Sequence, residues 1–303
     1  MGKYAVSVYD AFSAAPFGGS QAAVVMQAGT LTPAQRHQVA RELGLPATAF
    51  VDSVEGNRVA VQFISTVMEL PMCGHGTVCL ATHLVEQEFL EIGAAGGELI
   101  LDLPAGQAWV EMMRADGRPH VMLAVRPAEL EEFSADTGEL AQLLGIPGTG
   151  LHPDLPRAVA RGDFVHLIVP VKDLESMQSV EPDFVGIADY CRGHGLETLV
   201  AFSRDTAQPG MDVHVRDFCP AVGVPESAAA GTSNAALACY LLANQLVQSD
   251  ERGVLELVAE QGIEMGRSSA VHTRMCADPD TYTISSLQVG GVATRFFSGE
   301  LSV

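Results

Sequence analysis

A chain of 303 residues with 37 acidic against 17 basic side chains, a formal charge of −20, repels nucleic-acid backbones and anionic membranes and excludes both as partners. Hydrophobic residues at 48% and charged ones at 18%, with 30 Gly and 16 Pro, exclude disorder and supply apolar cores for two domains of ordinary size. Six cysteines without a CxxC pair or framework spacing exclude a zinc site and a disulfide scaffold, so a reducing, cytoplasmic setting is expected.

Tyr4 to Phe12 alternates as a first strand and lacks the apolar stretch of a signal peptide, and no apolar run is long enough to span a membrane. Pro16-Phe17-Gly18-Gly19-Ser20 turns into a second apolar run, Ala22 to Met26. A helix follows, capped by Thr32 with Pro33 at its first position and ending near Gly44. Strands are expected at Ala47 to Val51 and Val59 to Ile64. Leu70-Pro71-Met72-Cys73-Gly74-His75-Gly76-Thr77 then runs into an apolar helix, Val78 to Val85, and strands come at Glu98 to Leu103 and Ala108 to Met113.

The plan repeats from about Val121. Met122 to Val125 reads as a strand, Ala128 to Leu144 as an acidic helix, Phe164 to Pro170 as a strand and Phe184 to His194 as a helix. Strands Thr198 to Ser203 and Asp212 to Arg216 lead to Pro225-Glu226-Ser227-Ala228-Ala229-Ala230-Gly231-Thr232-Ser233-Asn234 and a second apolar helix, Ala235 to Leu246. Laying Gly76-Thr77 over Gly231-Thr232 puts Cys73 opposite Ala228. Each half then offers a Gly-containing turn opening a helix, where unpaired backbone N–H groups and the positive dipole end favour an anion. Two such turns facing each other make a trap for a small carboxylic acid. Neither GxGxxG nor GxxxxGK[ST] occurs, so no nucleotide is expected.

Asp10-Ala11-Phe12, Pro16 to Gly19, Glu69 to Thr77, the stretch from Ala201 to Tyr240 and Gly262 to Arg267 together resemble the PhzF family, within the diaminopimelate epimerase and proline racemase superfamily. The resemblance covers nearly the whole chain. It implies an α/β (α+β) fold of two pseudo-symmetric domains, each a strand-rich, barrel-like sheet around a central helix, with the site in the cleft between them. The expected boundaries are 1–118, joined by a last strand at about 287–303, and 119–286. It also implies no metal, no cofactor and a homodimer.

Three positions depart from the family pattern. The glutamate that shuttles the proton in PhzF-type isomerases is replaced by Ala47, the aspartate after the second-motif glutamate by Ser227, and the second thiol of the two-cysteine racemases by Ala228. What remains is Cys73 and His75. A thiol at a helix N-terminus has its thiolate stabilised by the dipole, and imidazole titrates near working pH. Cys73, His75 and Ser227 are therefore expected as catalytic residues. Gly74, Gly76, Thr77, Gly231, Thr232, Ser233 and Ser20 are expected to bind substrate, Asn234 lies beside them, and Glu226 is the carboxylate available to replace the missing acid. Glu69 is read as structural, Asp10 and Asp217 as hydrogen-bonded to loops, and His37, His83 and His272 are given no role.

One base suffices for a double-bond shift, whereas inversion generally needs donors on both faces. The expected activity is thus a proton-shift isomerase of an unsaturated or cyclic amino-acid-like acid, in natural-product biosynthesis. An epimerase, racemase or dehydratase on the same scaffold is the alternative, and a binding protein that kept the fold without the chemistry is the alternative of another class.

Overall fold

A computed structural model describes residues 2–303. The chain forms two compact units, Met1–Ala124 with Gly290–Val303, and Val125–Val289.

The first unit opens with β1 (Lys3–Ala11), β2 (Ser20–Val25) and α1 (Pro33–Leu43). Thr32 accepts from the Gln35 backbone N–H while the Gln35 side chain takes the Thr32 N–H, a reciprocal cap of the kind that stabilises a helix by about 1 kcal/mol. Gly44 ends the helix in the left-handed conformation. Then come β3 (Ala47–Glu55), β4 (Arg58–Ile64), β5 (Glu69–Leu70), α2 (Gly74–Glu86), β6 (Gly97–Leu103), β7 (Gly106–Ala115) and β8 (Arg118–Ala124).

The second unit holds β9 (Glu129–Glu132), α3 (Thr137–Leu144), β10 (Ala158–Arg161), β11 (Val165–Pro170), α4 (Leu174–Gln178), α5 (Phe184–His194), β12 (Thr198–Ser203) and β13 (Val213–Phe218). It continues with β14 (Glu226–Ser227), α6 (Gly231–Ala243), β15 (Val254–Gln261), β16 (Ser269–Ala277) and β17 (Ile284–Gly291). The last strand, β18 (Ala293–Ser302), pairs antiparallel with β1 and so completes the first unit.

In the first unit β2 and β3 are parallel, which a crossover helix such as α1 makes possible, and β3–β4, β6–β7 and β7–β8 are antiparallel. The buried helix α2 touches β1, β2, β3, β8 and β18, so the sheet curls around it. In the second unit β11 and β12 are parallel across α5, and α6 packs with Ile168, Val200, Phe202, Val215, Leu257 and Met275 in one core. A second core on the outer face joins α3 and α5 to Leu167, Leu199 and Phe218. Alternate residues of β10, β11 and β12 thus serve opposite cores.

Three sequence expectations need correction. Both apolar helices begin earlier than expected, α2 at Gly74 and α6 at Gly231, because the Gly-containing turns are themselves the first helical turns. The acidic stretch from Ala128 is not helical until Thr137: Glu129–Glu132 pairs with β10, and Asp136 caps the helix by accepting from the Glu139 N–H. The internal repeat is also displaced by two residues. Adding 157 carries Glu69 to Glu226, Cys73 to Ala230, Gln87 to Asn244 and Glu88 to Gln245. Cys73 and Ala230 are both extended N-cap residues, and Glu88 and Gln245 share a positive φ, 61° and 55°. Cys73 is therefore matched by Ala230 and not by Ala228. The shared Gly-Thr pairs misled the alignment, since Gly-Thr is too short a string to fix a register.

Candidate active site

β5 delivers the chain through Pro71 and Met72 to Cys73, whose extended backbone opens α2. Cys73 is 5% exposed, and its Sγ lies 3.6 Å from His75 Nδ1 and 3.7 Å from Nε2. Gly76 is required by close approach, because a Cβ there would stand 2.9 Å from the Phe63 ring and 3.0 Å from Cys73 Sγ. Gly74 has open space around it.

The charge states differ from the sequence expectation. Burial pushes the Cys73 thiol up to about 12, outweighing the Gly76 N–H that favours the thiolate. Burial likewise pushes His75 down to about 4. A dipole of half a charge cannot offset desolvation of a thiolate this deep. The expected thiolate is thus a neutral thiol beside a neutral imidazole.

Thr77 is fully buried and directs its hydroxyl to the Met72 sulfur at 4.0 Å, a core contact where a substrate contact was expected. Ser20 opens β2 opposite Ala11 and is half-buried. The structure brings Cys73, Gly74, His75 and Gly76 together at one helix N-terminus.

The second unit builds the matching turn. Gly231 and Thr232 are half-buried, and a Cβ on Gly231 would meet Val289 at 2.9 Å. Ser233 is fully buried and donates to the Ala230 carbonyl at 3.1 Å, so it too belongs to the interior. Ser227 is half-buried, and its carbonyl accepts from Gln261 Nε2 at 2.7 Å. Asn234 Nδ2 donates to Ala230 O and to Gln261 Oε1, both at 2.8 Å. Gln261 on β15 therefore braces the whole turn, a role with no local signal in the sequence.

Glu226 does not stand as a free acid. Arg216 Nε and Nη2 each approach one of its oxygens at 2.9 Å, and both side chains are buried, which makes it the anchor of a structural ion pair. Asp217 reads from the sequence as hydrogen-bonded to a loop, yet it is buried, and burial pushes its carboxyl up to about 6 against the opposing effect of the nearby Ser233 and Thr198 hydroxyls. The signal was its place on β13, where Val213, Val215 and Asp217 share the face turned to α6.

Among the described residues no group of three or more His, Cys, Asp or Glu side chains is placed to hold a metal ion, and no helix is long and apolar enough to cross a membrane. All six cysteines are free thiols.

A sheet curled around a buried helix in each unit is the fold of PhzF proteins and of proline racemase-like enzymes. The PhzF-family phenazine biosynthesis protein of Bacillus anthracis superposes with a TM-score of 0.89 at 23% identity, covering 100% of both chains. A hydroxyproline epimerase from Agrobacterium vitis superposes with a TM-score of 0.60 at 11% identity, covering 99% of this chain and 92% of the other. The chain belongs to the phenazine biosynthesis-like protein family, PhzC-PhzF, whose pattern matches residues 9–299. It is 27% identical to the uncharacterized isomerase YfhB of Bacillus subtilis, over 88% of this chain and 89% of that one. It is 26% identical to the trans-2,3-dihydro-3-hydroxyanthranilate isomerase of Pseudomonas aeruginosa, over 96% of this chain and 97% of that one. Family and named relatives make the chain an enzyme of the isomerase type.

Proposed function

We propose that the chain shifts a proton within a small unsaturated or cyclic amino-acid-like carboxylic acid, moving a double bond, with Cys73 and His75 as the proton-handling pair. The observation that carries this reading is Cys73 Sγ 3.6 Å from His75 Nδ1 at the N-terminus of α2. The substrate carboxylate is held by the free backbone N–H groups of that turn. The His75 imidazole takes the proton from one carbon and the Cys73 thiol gives its own to another. The imidazolium then returns a proton to the thiolate, and the neutral pair is restored. A substrate carboxylate beside the ring supports the brief positive charge.

A ring acid of the kind handled by the Pseudomonas aeruginosa relative fits this chemistry, and with it a place in natural-product biosynthesis. Epimerisation by two thiols is disfavoured because the N-cap matching Cys73 is Ala230. The test is solvent exchange in deuterated water with trans-2,3-dihydro-3-hydroxyanthranilate and proline-like acids, followed by NMR and by ultraviolet absorption. Deuterium uptake with an absorption change is expected, and Cys73→Ser or His75→Asn should abolish it. Inversion without an absorption change would overturn the double-bond shift in favour of epimerisation. Binding without exchange at any position would overturn the enzyme mechanism.

A further inference from the structure

Beneath the first turn of α6 lies a buried polar cluster that the first unit does not have. His166 on β11 pairs with Thr198 on β12, Asp217 sits near the end of β13 opposite Ser227, and Ser233 comes down from α6. His166, Thr198 and Asp217 are 2%, 4% and 2% exposed, and Ser233 is fully buried. His166 Nδ1 lies 2.7 Å from Thr198 Oγ1, and the Thr198 and Ser233 hydroxyls lie close enough to the Asp217 carboxyl to favour its charged form.

The corresponding positions in the first unit are all apolar. Ala22 pairs with Ala47 as His166 pairs with Thr198, and Phe63 stands opposite Leu70 as Asp217 stands opposite Ser227. Gly76 in the first turn of α2 takes the place of Ser233, where a Cβ would stand 2.9 Å from the Phe63 ring. Four core positions that an apolar set fills in one unit are thus filled by His, Thr, Asp and Ser in the other. Burying those groups is costly unless they are fully satisfied, and here they are not. Asp217 Oδ1 and His166 Nε2 have no partner, and the His166 ring lines a small pocket with Thr232, Ala235 and Ala236 of α6.

We propose that Asp217, Thr198 and His166 form one proton relay, with His166 Nε2 as its working end and Asp217 as its charge store. The proposal rests on the reading of the chain as a proton-moving enzyme, to which it adds a second proton-handling group. With Asp217 protonated, its O–H donates to Thr198, the Thr198 O–H donates to His166 Nδ1, and the ring proton sits on Nε2. When Nε2 gives that proton to a base in the pocket, Nδ1 takes the Thr198 proton and the Thr198 oxygen takes the Asp217 proton. Three N–H or O–H bonds break and three form, and the negative charge ends on Asp217 beside the Thr198 hydroxyl. The reverse sequence accepts a proton. Asp217 is a positioning residue in this scheme, since it acts through His166.

The charged and titratable surroundings allow the carboxyl to titrate alone. Burial raises it most, Glu226 adds to that and the two hydroxyls oppose it, while Cys191 and Cys219 face its charge as neutral thiols held up by burial. Burial keeps the His166 ring neutral, pushed down to about 4, and the pocket's remaining charges, Arg126 and Asp163, pair with each other at 3.1 Å.

The relay is testable without a substrate. In protein labelled with ¹⁵N-histidine, the His166 ring should stay neutral from pH 5 to 8 but exchange its Nε2–H tautomer for the Nδ1–H tautomer with a midpoint at about 6. Thr198→Val, which keeps the shape and removes the hydroxyl, should abolish that exchange, as should Asp217→Asn. An unchanged tautomer shift in Thr198→Val, or a single tautomer throughout in the wild type, would overturn the relay. For an acid that the wild type turns over, Thr198→Val should lose the limb of the kcat profile near pH 6 and leave KM within twofold. Identical profiles would show that the relay plays no part in turnover. A tautomer shift in a protein that exchanges no acid would leave the relay standing and remove the isomerase mechanism instead.

Discussion

Arg216 Nε and Nη2 hold the two oxygens of Glu226 at 2.9 Å each, and the pair is sealed in the second unit with the guanidinium also donating to the Val180 carbonyl. The arrangement ties β13, β14 and the segment before α5 together just upstream of the α6 turn. Removing one partner of a buried pair leaves an uncompensated charge and typically costs about 3–5 kcal/mol. Glu226→Gln should therefore lower the chemical-denaturation midpoint strongly, while the protein that remains folded keeps its turnover within a few fold. A collapse of kcat with stability intact would instead make Glu226 the acid.

His214 is fully buried between two carboxylates, with Nδ1 2.6 Å from Glu260 and Nε2 2.9 Å from Glu264. Burial works against the charged ring, but the hydrogen bonds to Glu264 and Glu260 outweigh it and raise its pKa above the ordinary 6.5. A raised folded pKa contributes stability that is fully present below pH 6.5 and is lost as pH rises through the folded value. Unfolding free energy should thus fall on the alkaline side of neutrality. His214→Asn, which leaves two facing carboxylates, should be less stable by about 3 kcal/mol at pH 6 and should lose less on going to pH 9. A parallel pH dependence in the two proteins would remove the charged ring as its cause.

Much of the fold was readable because its signals are local. Thr32, Pro33 and Gly44 announce α1, and Phe184 to His194 and Thr198 to Ser203 carry their helix and strand patterns openly. The stretch after Ala128 misled because its acidic residues suit a helix, yet Glu129–Glu132 has a partner strand in β10 that only tertiary structure supplies. The helix N-terminus at Cys73 was legible in its place and not in its charge. Cys73 sits at a helix N-terminus in either reading, but the burial that neutralises it comes from the surrounding strands. Asp217 was missed for the same reason. A single aspartate in Arg216-Asp217-Phe218 looks loop-bound until the alternation of β13 and the match to Phe63 place it inside.

The protonation state of Cys73 is directly measurable. A thiol pushed up to about 12 by burial carries little thiolate at neutral pH, and each pH unit below that value changes the fraction about tenfold. Alkylation by iodoacetamide, read at the Cys73 peptide by mass spectrometry, should accelerate about tenfold per pH unit between 7 and 10 without a plateau. A plateau reached near pH 8 would mean that the dipole outweighs burial, and would return Cys73 to the role of resting base.

The two glycines flanking His75 separate packing from chemistry. A methyl at Gly76 would stand 2.9 Å from the Phe63 ring and 3.0 Å from Cys73 Sγ, closer than real Cβ contacts, whereas a methyl at Gly74 meets nothing within 4 Å. Overpacking of this kind costs about 1–3 kcal/mol, and the helical backbone at Gly74 favours Ala over Gly by up to about 1 kcal/mol. Gly76→Ala should therefore lose stability and, by pushing Sγ away from the imidazole, lower kcat by more than its effect on KM. Gly74→Ala should keep or slightly gain stability. If both variants lost turnover alike with their stability unchanged, the Gly74 position would be contacting the substrate, and the restoring step between Cys73 and His75 would not be what Gly76 protects.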